Sequence, residues 1–173
     1  MSSLIAIILF AGVFALPVIT YFVTRKYMKE ETSEEWKDKF KTLYDGLKVG
    51  SKPVMMYNTI FLVRRLIFAF LICFVIPSQG IQVIINFFMS WGMIMYLIKY
   101  RPFQIEKLNK LEIFNEMTIL LCNYTLIAFS DISTDGGVKF DFGWWMLALV
   151  LANVSTNVGF IVNEVWKQFK PKL

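Results

Sequence analysis

Five apolar blocks, each near the length of a membrane crossing, constrain this chain more than any other feature. They cover residues 4–23, 54–76, 81–98, 113–129 and 142–165. A helix rises ~1.5 Å per residue, so roughly 20 apolar residues cross the ~30 Å hydrocarbon core of a bilayer. A water-soluble domain of 173 residues needs far less apolar surface than 57% hydrophobic residues and 17 phenylalanines supply. The pattern predicts an all-α polytopic membrane protein of five transmembrane helices in one membrane domain, with the lipid bilayer as its first partner.

The first block differs from a cleaved leader. Its start, MSSLIAIILF, has no basic segment, and Arg25, Lys26 and Lys29 follow the block instead of preceding it. That order predicts a retained anchor with its N-terminus outside. Pro17 lies inside the block, where neighbouring helices can cover the carbonyl it frees.

The chain has no histidine, which excludes His-based triads and makes His-ligated haem and most zinc sites untenable. Cys73 and Cys122 both fall within spans and are expected as buried small apolar residues. The net charge of +5 finds its explanation in topology, and no nucleic-acid partner is expected. Eight Lys/Arg occupy residues 24–53, four occupy 99–112, and Lys167, Lys170 and Lys172 follow the last span. The PSQG connection between spans two and three has none, and the loop before span five sets Lys139 against Asp131, Asp135 and Asp141. Positive loops thus alternate in register with five spans, putting the C-terminus on the cytoplasmic or matrix side. Tyr57, Tyr100, Trp144, Trp145 and Trp166 fall near span ends, as an interfacial aromatic belt would.

The long inner loop carries its own pattern. In EEWKDKFKTLYDGL, Trp36, Phe40, Leu43, Tyr44 and Leu47 share one helical face. A capping-box pattern at Thr32 or Ser33 and stop signals at Gly46, Gly50 and Pro53 bound an amphipathic interfacial helix over about 33–48. It would lie in the headgroup plane or act as a lever on the bundle.

Charges inside the spans ask for partners. Arg64 and Arg65 stand side by side in TIFLVRRLIFAF. Each costs about 2.5–3.5 kcal/mol at a span's centre, so the pair is expected near the inner edge, where snorkelling relieves the cost. Adjacent helical residues point about 100° apart, so at least one arginine is expected to face the bundle. Glu116 is its first candidate partner and Glu164 the second, as a structural ion pair or as a gating or transport charge.

A polar thread runs through the later spans. Asn123 lies seven residues after Glu116, Asn157 four after Asn153, and Ser90 four after Asn86. These side chains must point at one another or at water, as helix–helix glue or as the lining of an ion path. Beside the Asn stripe, Ala148, Ala152, Ser155 and Gly159 form a small-residue ridge that another helix can approach closely. TDGG at 134–137 reads as a turn in the outer loop. No phosphate-cradling glycine loop, metal-ligand spacing or paired carboxylates occur, so no enzyme, cofactor or metal is expected.

The ordered set KFKTLYDGLK, RRLIFAF, KYRPF, NKLEIFNEM, NYTLIAFSD and GWWM…NVSTNVGF resembles the C-terminal membrane region of the transient-receptor-potential-like (TRP-like) family, and its ciliate-type members more than the fungal ones. The resemblance covers roughly residues 37–165. It implies an ion-channel-type bundle acting within an oligomer, with Arg64, Arg65, Arg101, Pro102, Asn115 and Glu116 as the corresponding positions. It carries no selectivity-filter residue, because the loop before span five is about a dozen residues without a pore helix. The rival expectation is a non-catalytic accessory subunit of a larger membrane complex, such as a mitochondrial respiratory assembly.

Overall fold

The computed structural model describes residues 2–29, 33–48, 50–74, 79–129 and 136–169. Among them the chain is helical throughout, with no strand beyond one isolated bridge. In order it forms α1 (Ser2–Tyr27), α2 (Glu34–Phe40), a 3₁₀ turn (Lys41–Leu43), α3 (Lys52–Met55), α4 (Tyr57–Phe74), α5 (Gln79–Tyr100), α6 (Glu106–Phe129) and α7 (Gly136–Phe169). The possible cap at Thr32, residues 77–78 of the PSQG connection, residues 130–135 of the loop before α7 and the lysines at 170 and 172 lie outside the described residues.

Among the described residues, three helices are long and apolar enough to cross a membrane, over Tyr57–Phe74, Gly80–Tyr100 and Gly136–Lys167. The block expected at 113–129 belongs to α6, where Asn115, Glu116, Thr118, Asn123 and Thr125 dilute the apolar run. The block expected at 4–23 belongs to α1, which keeps its helix through Pro17. Thr20 donates to the Pro17 carbonyl at 2.9 Å and Thr24 to the Thr20 carbonyl at 2.7 Å, so both hydroxyls are satisfied within the helix.

Several expected boundaries move. The second block starts as α3, and Met56 (φ −78°, ψ −2°) interrupts it before α4 resumes with the Ile60 N–H bonded to the Met56 carbonyl at 2.9 Å. Pro53 fits this arrangement, because a first helical turn tolerates a missing N–H. The last helix begins at Gly136, six residues before the expected start, so Gly136 and Gly137 are helical and not part of a turn.

The single interfacial helix expected over 33–48 ends at Phe40 and gives way to the 3₁₀ turn. Gly46 sits at φ +79°, a left-handed conformation that stops any helix and suits glycine. Ser33 takes the N-cap position, but its side chain makes no capping bond. Of the aromatic face, Trp36 and Phe40 stack on each other at 4.5 Å, while Tyr44 and Leu47 are each only 3% exposed. Protein, not headgroups, covers the end of this segment.

Residue packing divides the chain into two units. The first comprises residues 1–77 and 96–109, and the second 78–95 and 110–173. In the first, α1 packs along α4. In the second, α6 exchanges side-chain hydrogen bonds with both α5 and α7.

Candidate functional site

The second unit holds the polar thread, built from neutral carboxamides on three helices. Adjacent residues on α6 point about 100° apart, so Asn115 and Glu116 head two different stripes. Asn115 and Thr118, at i and i+3, form the stripe facing α7. The Asn115 Oδ1 accepts from Asn157 Nδ2 at 2.7 Å and from Asn153 Nδ2 at 2.9 Å, and Asn153 Nδ2 also reaches Thr118 Oγ1 at 3.3 Å. Asn157 further donates to the Asn153 carbonyl at 2.9 Å, tying the two asparagines across one turn of α7. Glu116 and Asn123, at i and i+7, form the other stripe. There Asn86 of α5 donates to Asn123 Oδ1 at 2.9 Å, and Asn123 Nδ2 donates to Ser90 Oγ at 3.4 Å.

Burial grades along the thread. Asn123 and Glu116 are 3% exposed and Ser90 is fully buried, whereas Asn86, Asn153 and Asn157 keep partial exposure. In an apolar surrounding an unbonded carboxamide is costly, so side chains that satisfy one another join helices together. The arrangement brings all four expected asparagines into hydrogen bonds and adds Asn115 as the hub on the α7 side. Asn115 was noticeable only through the family resemblance. Its spacing to Thr118 is the sequence signal for its role, while the Asn153/Asn157 stripe gave no direction for its partner.

The charges expected inside the spans fall in different units. Arg64 and Arg65 lie on α4 in the first, and Glu116 and Glu164 lie on α6 and α7 in the second. The two arginines have different surroundings, as their 100° separation requires. Arg64 is half-buried; Arg65 is exposed, its guanidinium 4.1 Å from the centre of the Phe61 ring. Phe61 is one turn nearer the start of α4, so Arg65 reaches back toward Tyr57 over an aromatic face. Glu164 takes Lys167, one turn on, at 2.5 Å. Cys73, expected buried, is exposed, and Cys122 is half-buried.

The first unit holds a loop-to-loop joint that periodicity did not indicate. Leu47 and Phe103 form an antiparallel bridge, with the Lys48 N–H donating to the Pro102 carbonyl at 2.9 Å and the Gln104 N–H to the Gly46 carbonyl at 2.9 Å. The Gln104 side chain adds a bond to the Leu47 carbonyl at 2.9 Å. Asn109, 3% exposed, grips both backbone groups of Phe103, accepting from its N–H at 2.9 Å and donating to its carbonyl at 2.8 Å. Around this bridge Tyr44 donates to Thr24 Oγ1 at 2.8 Å, Asn58 to the Leu43 carbonyl, and Tyr96 to the Pro53 carbonyl. Tyr57, expected in the aromatic belt, is 6% exposed and packs edge-on against Phe103 at 5.0 Å. Arg101 and Pro102 serve this joint: Arg101 adopts φ +42° as α5 ends, and Pro102 is fully buried. Burial pushes the Tyr44 phenol above its ordinary pKa of 10.

Among the described residues, no group of three His, Cys, Asp or Glu side chains gathers as metal ligands would. No family profile, curated protein or solved structure shows a significant match to the chain.

Proposed function

We propose that the chain is a non-catalytic helical membrane subunit that works inside a larger assembly. In this reading α1 and α6 cross the membrane with the three more apolar helices α4, α5 and α7, giving five spans, an outer N-terminus and an inner C-terminus. The observation that carries it is how α7 divides its faces. Asn153 and Asn157 bond to α6, while Leu151, Val154, Val158, Ile161 and Val162 each remain more than half exposed. Apolar surface on that scale needs lipid or another subunit to cover it. The ridge of Ala148, Ala152, Ser155 and Gly159 is also exposed, which suits close approach by a neighbouring helix. The loop-to-loop joint supports the orientation, because it ties together the two loops that their Lys/Arg content assigns to one side.

The TRP-like channel reading draws on a different observation, the partial exposure of Asn153 and Asn157. Carboxamides with open edges can line a water path once an oligomer forms around them. The test is the mass and composition of the complex extracted from its native membrane in mild detergent. Co-purification in a fixed ratio with unrelated subunits supports the accessory role. A small homo-oligomer overturns it in favour of the channel. Bilayer recordings of wild type and Asn157→Leu then ask whether conductance depends on the thread.

A further inference from the structure

At the C-terminal end of α1, two neighbouring hollows of about 380 and 360 Å³ share Met28, Lys29 and Lys52 as their common wall. Arg25 joins the first and Lys37 the second. No acidic side chain lines either hollow among the described residues. Lys37 is balanced by Glu34 at 2.9 Å, and Lys26 turns away to lie 4.8 Å from the Trp36 ring centre. Arg25, Lys29 and Lys52 thus converge on one opening as three exposed cations. Like charges around a concave, partly apolar wall repel one another and focus a positive potential that an anion relieves. Arg25 also suits the negative end of the α1 dipole, but Lys29 and Lys52 lie beyond the helix and gain little from it.

We propose that this twin hollow binds the phosphate-bearing headgroup of an anionic phospholipid in the inner leaflet, through Arg25, Lys29 and Lys52. The wall chemistry favours a lipid over a free anion. Tyr21 and Met56 line the same hollow as the cations, and Val18 and Phe22 of α1 stand 54% and 61% exposed one to two turns further along. A ligand with an anionic head and acyl tails matches both surfaces at once. The proposal rests on reading α1 as a membrane span whose C-terminal end is inner, the level at which anionic headgroups lie.

The experiment uses the full chain in neutral detergent and follows its melting temperature during titration with short-chain phosphatidic acid, short-chain phosphatidylcholine or inorganic phosphate. A saturable rise is expected with phosphatidic acid alone. Lys29→Gln/Lys52→Gln should weaken the apparent affinity at least about tenfold, at roughly fivefold per cation near a membrane surface. The control Lys107→Gln/Lys110→Gln removes the same charge from the exposed start of α6 and should leave the affinity within about twofold. Equal weakening by both pairs would make the attraction diffuse, and an equal response to phosphatidylcholine would remove the headgroup selectivity; either overturns the proposal. A response to inorganic phosphate matching that to the lipid would assign the hollow to a free anion and also overturn it. Alkaline carbonate treatment of the native membrane separates the underlying reading. Release of the chain refutes the membrane span, whereas retention without a phosphatidic acid response refutes the headgroup site alone.

Discussion

The loop-to-loop joint and the asparagine thread both rest on polar side chains, but the partners differ in kind. In the joint, Asn109, Gln104, Asn58 and Tyr96 bond to backbone groups of loops and short helical turns. In the thread, Asn86, Asn115, Asn123, Asn153 and Asn157 bond to one another or to hydroxyls on neighbouring helices. The difference follows from where backbone is left over. A continuous helix satisfies its own N–H and C=O groups, so a polar side chain on it meets side chains of other helices or shares a carbonyl of its own preceding turn, as Asn157 does with Asn153. A connection between helices carries orphan backbone groups, and buried ones need partners. The joint therefore fixes chain path, while the thread fixes which helix faces which.

Glu116 is the carboxyl group among the thread's carboxamides, and it offers the largest test of that contrast. A buried carboxylate persists in apolar surroundings when a cation compensates it, and Glu116 is 3% exposed. Glu116→Gln should then cost about 3–5 kcal/mol, the range for breaking a buried pair from one side. A variant that expresses and melts like wild type would return Glu116 to the neutral chemistry of its neighbours. Next in size is Asn109→Leu, which removes both bonds to Phe103 and leaves its N–H and C=O to find other partners. A loss of about 2–4 kcal/mol is expected for two such groups, together with faster proteolysis at 101–105. Loss of thermal stability without that new cleavage would mean the joint does not depend on Asn109 for its path.

Much of the second unit was legible because its signals are periodic. Asn153 and Asn157 at i and i+4, Asn86 and Ser90 at i and i+4, and Glu116 and Asn123 at i and i+7 each mark a face that a helix must turn toward something. The partner assignments were not legible, since a stripe says that a face is polar and nothing about which helix meets it. The loop-to-loop joint was hidden for a further reason. Tyr44 and Leu47 continue the spacing of Trp36 and Phe40, so periodicity extended one helix across them. The long-range bridge to Phe103 and the left-handed Gly46 override that local preference. Asn109 gave no warning, because its bonds run to a residue six positions earlier through a bend that periodicity does not describe.

The thread's two stripes on α6 should separate by size. Asn115→Leu removes an acceptor shared by Asn153 and Asn157, whereas Asn123→Leu breaks one good bond to Asn86 and one longer bond to Ser90. Interhelical bonds in membranes average ~0.6 kcal/mol and reach ~1.7, so about 1–2 kcal/mol is expected for Asn115→Leu and about 1 for Asn123→Leu. Thermal melts in a fixed detergent would rank them. The reverse order would mean that the more buried Asn123, not the hub at Asn115, holds the three helices together.

Tyr44 supplies the smallest effect, and one that the thread cannot imitate because none of its carboxamides titrates. The phenol donates to Thr24 at 2.8 Å and is almost fully buried, so folding favours its neutral form and raises its pKa above 10. An acid with a raised folded pKa contributes fully below its unfolded value and loses that contribution as pH climbs through the folded one. Tyr44→Phe should cost about 0.5–1.5 kcal/mol near neutral pH for one neutral hydrogen bond. The gap between wild type and variant should stay constant from about pH 7 to 9 and narrow above about pH 10, since only wild type has this proton to lose. Melts of both proteins across that window give the answer. A gap that stays constant above pH 10 would place Tyr44 in contact with water in the folded protein, and the joint would then be held by its backbone bridge and Asn109 without the aromatic cover.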